Sequence, residues 1–223
     1  MKKNNGMNMN TGRAAGLILA AVLLVAFSGC STVYYATMEK FGVEKRHILV
    51  DDVKDVKDSQ AKAQEEFKDA LTKLRELYSF DGGDLEDFYD NLKDSYEDCE
   101  SRADQIEKRI DSVRKVAKDL FSEWESEIAQ MHDAKLKASS RRSLRKSKIR
   151  YAKLEKAMEK SRKRMYPVLT KLRDYVLYLK HNLNAKAVGS LGGEVVSIEK
   201  EVAGLIKDMN ASIKEADNFI RDF

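Results

Sequence analysis

One long apolar stripe constrains this chain more than any other feature. From Tyr89 to Met131, apolar residues recur with alternating steps of three and four, and only Glu127 in the stripe carries a charge. Its members are Tyr89, Leu92, Tyr96, Cys99, Ala103, Ile106, Ile110, Val113, Ala117, Leu120, Trp124, Glu127 and Met131. Such spacing over about six heptads is typical of a coiled-coil seam. It predicts a long helix that pairs with another helix.

A second apolar stripe supplies the partner, and two shorter stripes flank the pair. The second stripe runs from Leu144 to Leu183. Turns are predicted at residues 81–84, near 137–140, where the pattern weakens, and at 190–193, with Asp84 as a helix N-cap. The predicted helices cover residues 50–78, 85–134, 141–187 and 194–221.

These lengths predict an all-α fold, an antiparallel four-helix bundle whose central hairpin projects as a two-helix coiled coil. The inner helices would be about 70 Å long and the outer ones about 42 Å. Short turns make neighbouring helices antiparallel, so both outer helices cover the same half of the hairpin. Residues 115–156 should then project uncovered. Phe121 and Ile128 lie off the stripe in this half and would mark a contact with a partner or a second copy.

The N-terminus has the pattern of an export signal. Basic residues at Lys2, Lys3 and Arg13 precede a 15-residue apolar run, 14–28, which is short for a membrane span and suits a signal peptide. The run ends in Phe-Ser-Gly-Cys, which resembles the lipobox of bacterial lipoproteins. The resemblance implies cleavage between Gly29 and Cys30 and acylation of Cys30. An ordinary signal or anchor with an incidental cysteine is the alternative.

The lipobox divides the chain into three parts. Residues 1–29 would be the signal peptide, 30–49 the lipidated N-terminus and tether, and 50–223 the helical domain. Ser31, rather than Asp, follows the cysteine. By resemblance to lipoprotein sorting in double-membrane bacteria, this implies an outer-membrane anchor, with the body facing the periplasm.

Charge is distributed unevenly along the predicted hairpin. Residues 81–104 hold ten acids and two bases, whereas residues 135–164 hold fourteen bases and two acids. The basic end predicts a site for an anionic partner, such as a phosphorylated lipid, an acidic envelope polymer or an acidic protein. The alternative is a solvated face whose charges set the helix register. The candidate residues are Arg141, Arg142, Arg145, Lys146, Lys148 and Arg150.

Signatures of catalysis are missing from the sequence. There is no P-loop, H-E-x-x-H or G-x-S-x-G motif, and the three histidines lie far apart. Two cysteines are too few for a disulfide framework or a Cys/His metal cluster. We therefore expect no enzyme activity, no cofactor and no metal. Nucleic acid is not expected as a partner of an exported chain.

Three segments resemble an uncharacterised bacterial family of coiled-coil envelope lipoproteins, a domain of unknown function. They are residues 35–42, Leu120–Trp124 and, above all, LKHNLNAKA from Leu179. The resemblance covers nearly the whole chain after the signal peptide. It implies a helical lipoprotein and brings no known activity.

Two functions fit these features. The first is a lipid-anchored envelope protein with a structural or protein-interaction role, whose coiled-coil arm presents a basic tip to an anionic partner. The second is a binding module for a small or lipidic ligand in the bundle, near Pro167 and His181. A filled core at that place would count against the second function.

The lipobox yields the first testable prediction. Replacing Cys30 by Ala should abolish incorporation of radiolabelled palmitate, because the acylated sulfur is removed. Cys99→Ala is the matched control and should keep the label, because Cys99 belongs to the helical seam. Equal labelling of wild type and Cys30→Ala would rule out the anchor.

Overall fold

The structure is a computed structural model that describes residues 45–79, 84–190 and 192–223. The chain divides into two compact units, Met1–His47 and Ile48–Phe223, and this description concerns the second. The predicted signal peptide, Gly29 and Cys30 lie outside the described residues. Every described element is a helix, which confirms the all-α class. The elements are α1 Lys45–Tyr78, α2 Leu85–Gln130, α3 Ala134–His181, α4 Ala185–Ser190 and α5 Gly192–Asp222.

The four long helices form the predicted antiparallel bundle. Helix α3 lies closest to α2 and α5, and α1 contacts α2 and α5 through long polar side chains. Asp84 caps α2 as predicted, because its side chain accepts a hydrogen bond from the Glu86 amide. The polar contacts between α1 and its neighbours are Asp69–Ser95, Glu66–Arg102, Asp55–Arg109 and Asp52–Ser112 on α2, and Arg75–Glu199, Gln64–Asn210 and Lys57–Asp217 on α5.

The core of the bundle follows the heptad rule. In α1 the steps of three and four place one residue of every half-heptad inside, and burying each large side chain contributes about 1.5–3 kcal/mol. Between Leu49 and Leu77 these residues are Val53, Val56, Gln60, Ala63, Phe67, Ala70 and Leu74. Gln60 breaks the apolar pattern, and its amide donates a 2.7 Å hydrogen bond to Ser161 Oγ across the core. This bond fixes the register of α1 against α3.

An ionic contact on α5 depends on a glycine. Asp208 is buried and accepts hydrogen bonds of 2.8 Å from both Lys160 and Arg164. A Cβ atom on Gly204 would lie 2.8 Å from the Arg164 guanidinium. Glycine at this position therefore lets Arg164 lie across α5 and reach Asp208.

The turn between α2 and α3 comes earlier than predicted. Helix α2 ends at Gln130 and α3 begins at Ala134, so the predicted turn at residues 137–140 is wrong. Asp133 is the N-cap of α3, with its side chain accepting from the Leu136 amide. Lys137 Nζ donates to the carbonyl oxygens of Ala129 and Met131. A capping aspartate and a lysine therefore close a three-residue turn without glycine or proline.

The seam of α2 shifts by one residue near its C-terminal end. After Ala117 the next buried residues are Phe121 and Ile128, whereas Leu120 is half-buried and Glu127 is exposed. The prediction that Phe121 and Ile128 lie off the seam is therefore wrong. Two successive steps of four, from Val113 to Phe121, act as a coiled-coil stutter that moves the apolar stripe.

The outer helices cover more of the hairpin than predicted. At the end of α5, Asp222 accepts a 2.6 Å hydrogen bond from Arg150 through its backbone carbonyl, and Phe219 packs against the Tyr151 ring. Helix α1 begins at Lys45, so residues 45–49, assigned above to the tether, are helical. The predicted uncovered range of 115–156 is therefore too long. Residues 122–149 lie beyond these contacts, and we call them the arm.

The shifted seam gives a stability prediction. Phe121→Ala should lower the free energy of unfolding by about 3 kcal/mol, because it removes a buried ring that packs 5.6 Å from Tyr151. Leu120→Ala should cost about 1 kcal/mol, because this side chain is only half-buried. Urea unfolding followed by circular dichroism compares the two. A larger loss of unfolding free energy for Leu120→Ala than for Phe121→Ala would contradict the shift and favour the predicted, unshifted seam.

A basic groove on the arm

The arm carries an open groove of about 600 Å³ between its two helices. Ile128 and Leu144 are buried beside it, whereas Ile149 is 55% exposed and extends the apolar surface toward solvent. Leu136, nearer the turn, is 64% exposed. The groove is lined by Glu125, Ile128 and Ala129 of α2 and by Arg141, Leu144, Arg145, Lys148, Ile149 and Ala152 of α3. It therefore combines an apolar floor with a basic wall.

The structure separates the six predicted basic residues into three groups. Arg141, Arg145 and Lys148 line the groove. Arg142 and Lys146 are exposed beside it on α3. Arg150 lies outside the groove and binds the end of α5 through Asp222, so its contact belongs to the bundle.

Four of these residues have charges that the described residues leave unpaired. Lys148 forms a 2.6 Å ion pair with Glu125 and lies 5.8 Å from the Phe121 ring centroid. Arg141, Arg142, Arg145 and Lys146 are exposed, and no carboxylate of a described residue lies within ion-pair distance of them. We call this set, Arg141, Arg142, Arg145 and Lys146, the basic patch. It lies within two turns of one helix, so its charges act together on an approaching anion.

In the hairpin below the arm, several charges form a network across the two helices. Arg114 contacts Glu155 and Glu159, and Arg162 contacts Glu159 and Glu107, all across or along the two helices. The hydrogen bond from Arg162, with further ones from Arg114 and Lys163, lowers the pKa of Glu159 to about 2. This network supports the register-setting alternative for the bases of the bundle, and the basic patch lies beyond it.

The residues around the last turn serve the fold. Asn182 caps α3, because its side-chain amide donates to the Tyr178 carbonyl and its backbone N–H donates to the Leu179 carbonyl. Pro167 and His181 are both exposed and are separated by 14 positions of α3, about 21 Å. They do not form one site.

Chemistry elsewhere in the described residues is limited. Cys99 is fully buried in the seam, and burial raises the pKa of its thiol. Residues 45–79, 84–190 and 192–223 contain no group of His, Cys, Asp and Glu arranged to hold a metal. Over the same residues, no helix combines the length and the apolar character needed to cross a bilayer.

Sequence reasoning identified the basic patch and missed the apolar floor. The periodicity places Ile128 off the seam, whereas in the structure it packs into the shifted seam at the groove. Ile149 stands between Lys148 and Arg150 and fits no stripe. A large aliphatic residue at a solvent-facing position within a basic run was the available signal.

Comparison with known proteins identifies a family. Residues 34–223 match the family described as "Protein of unknown function (DUF2959)". This range includes all the helices described above. Neither a curated protein nor a solved structure matches the chain.

The ionic network predicts a pH dependence. The pKa of Glu159 is lowered, so its contribution to stability is fully present above pH 4.5 and is lost as the pH falls toward 2. Glu159→Gln should therefore cost about 1 kcal/mol at pH 6 and less at pH 3, as measured by urea unfolding. Asp104→Asn removes an exposed carboxylate without an ion pair to any described residue and should leave the pH dependence unchanged. Parallel stability curves for Glu159→Gln and wild type would contradict the assignment.

Proposed function

The chain belongs to the DUF2959 family, and we propose that it is a non-enzymatic, lipid-anchored envelope protein that presents its arm to an anionic partner. In this proposal the bundle is a rigid support, and the groove with the basic patch is the contact surface. The role is structural or interactive, and the partner is an anionic lipid, an acidic polymer or an acidic protein of the envelope.

The observation that carries the proposal is a cluster of four cations on the arm that have no ion pair to a described residue. In the bundle, arginines such as Arg114 and Arg162 contact carboxylates of the neighbouring helix. On the arm, the basic patch faces solvent beside an apolar groove. Bundle cations without an ion pair to a described residue, such as Lys62 and Lys108, are scattered, whereas the arm concentrates four such cations within two turns of α3. An unpaired cluster beside apolar surface suits recognition of an anion.

The anchor is supported by the sequence alone. The apolar run ending in Gly29 and Cys30 has the length of a signal peptide and resembles a lipobox. Two or more acyl chains on Cys30 would give stable membrane attachment, because each buried methylene contributes about 0.8 kcal/mol. By the sorting resemblance, we propose the outer membrane, with the helical domain in the periplasm.

The alternative, a ligand site inside the bundle, gains no support from the geometry. Pro167 and His181 face solvent, and the core beside Pro167 is filled by Met165, Val168 and Leu172, all fully buried. The groove on the arm lies instead between α2 and the N-terminal half of α3. We therefore place binding on the arm.

Crosslinking in cells tests the proposal. A photoreactive amino acid at the exposed position Ser143 should form adducts, identified by mass spectrometry, with an anionic partner. Reversing the patch with Arg141→Glu, Arg142→Glu, Arg145→Glu and Lys146→Glu should reduce the adducts at least about ten-fold, because repulsion replaces attraction. Glutamate has a helix propensity close to those of arginine and lysine, so α3 should stay folded.

A matched control separates the patch from net charge. Lys62→Glu, Lys108→Glu, Lys200→Glu and Lys207→Glu change the net charge equally at exposed sites of the bundle, where no ion pair to a described residue is lost. This variant should keep the adducts. Adducts that persist after reversal of the patch, or vanish equally in both variants, would contradict the proposal.

A further inference from the structure

The direction of α1 determines which end of the bundle is near the proposed anchor. Asp52 of α1 accepts a 2.7 Å hydrogen bond from Ser112 of α2, and Asp55 pairs with Arg109. Since Asp69 contacts Ser95, the two helices run antiparallel. Earlier residues of α1 therefore lie farther along α2, toward the arm. The N-terminal end of α1 is the end from which the arm extends.

Distances along the chain make this arrangement quantitative. At 1.5 Å per residue, the end of α2 at Gln130 lies about 27 Å beyond the level of Ser112, whereas α1 itself extends about 10 Å beyond Asp52 in the same direction. The tip of the arm is thus about 17 Å farther than Lys45. The other end of α1, Tyr78, lies about 50 Å from Lys45 in the opposite direction.

The proposed anchor has a limited reach. Fourteen residues separate Cys30 from Lys45, and a polypeptide spans at most about 3.6 Å per residue, so Cys30 lies within about 54 Å of Lys45 in any conformation of the intervening chain. The arm lies well inside this reach. The bundle end near Tyr78 reaches the bilayer only if the intervening chain is almost fully extended.

We propose that the anionic partner of the arm is the surface of the bilayer that holds Cys30, and that the basic patch contacts phospholipid headgroups of that membrane. This inference rests on the proposed function and names its partner. The patch begins about 10 Å from the start of α3, so the arm would lie with the patch side of α3 against the membrane, and this contact would fix the orientation of the bundle.

The chemistry of the arm suits a lipid surface. Each basic residue near an anionic bilayer strengthens binding roughly five-fold, so the four residues of the basic patch together suffice for an effect of several hundred-fold at low ionic strength. Ile149 follows Arg145 by four residues and adds exposed aliphatic surface on the same face of α3, which favours contact at the headgroup boundary.

The acids of the arm do not cancel this surface. Glu125 is paired with Lys148, and Asp133 caps α3. Glu123 and Glu127 lie on α2, whereas the basic patch lies on α3. Tethering also favours the bilayer over a free partner, because an anchored arm meets its own membrane at a high effective concentration.

Fluorescence quenching in vesicles tests this inference. The full-length lipidated protein carries a fluorophore at Ser139→Cys on the arm or at Thr72→Cys near the other end of α1, both exposed positions. It is reconstituted in phosphatidylcholine vesicles with or without about 30% phosphatidylglycerol, which contain a headgroup spin-labelled lipid as quencher. Cys99 is buried and should not react with the fluorophore.

The expected result depends on lipid charge and on the basic patch. In vesicles with phosphatidylglycerol, quenching at residue 139 should be at least about three-fold stronger than at residue 72. Salt at 1 M should remove this difference, because it shortens the Debye length to about 3 Å. Reversal of the basic patch should abolish it, and the matched bundle variant should retain it. Equal quenching at both positions, or no effect of patch reversal, would overturn the inference.

If the expected result is not obtained, two comparisons show whether the membrane inference alone or also the proposed function has failed. In the first comparison, only added protein-free vesicles carry the spin label, and the fluorophore at residue 139 should not be quenched. Quenching of this fluorophore would mean that the arm binds an opposing membrane, which overturns the inference. If vesicles show no arm contact while crosslinking in cells still gives patch-dependent protein adducts, the membrane inference fails and the proposed function stands. If both results are negative, both proposals fail.

Discussion

The apolar seam between α2 and α3 is the interaction on which the rest of the structure depends. It aligns two helices of 46 and 48 residues, each about 70 Å long, and neither would be stable alone with a full apolar stripe exposed to water. Helices α1 and α5 complete the apolar core only along the part of the hairpin that they contact. The arm is the part of the seam beyond them, where α2 and α3 pack against each other.

Charge follows the same division. Over the bundle, acids and bases form pairs across neighbouring helices, such as Arg102 with Glu66 and Arg162 with Glu107. Such exposed pairs add little stability individually, although they disfavour incorrect helix registers. On the arm the basic patch has no such partners among the described residues. Its charges therefore contribute little to the fold and are available to an external anion.

Periodicity in the sequence predicted the four long helices, their order and their antiparallel packing, because steps of three and four over many heptads admit few other structures, whereas it did not predict the six-residue helix α4. Periodicity failed at the places where contacts of single side chains determine the structure. Asp133 and Lys137 place the turn without glycine or proline. The charge at Glu127 within the apolar stripe is the sequence signal of the seam shift. The length of hairpin that the outer helices cover depends on contacts such as Arg150 with Asp222, which leave no periodic signal.

Hydrogen exchange tests whether the arm extends beyond the bundle as a two-helix element. In the detergent-solubilised lipidated protein, amides of residues 122–130 and 134–149 should exchange at least about ten-fold faster than those of residues 96–117 and 154–176, because fewer buried contacts oppose local opening. They should still exchange more slowly than an unfolded chain. Protection of the arm equal to that of the bundle would contradict the account.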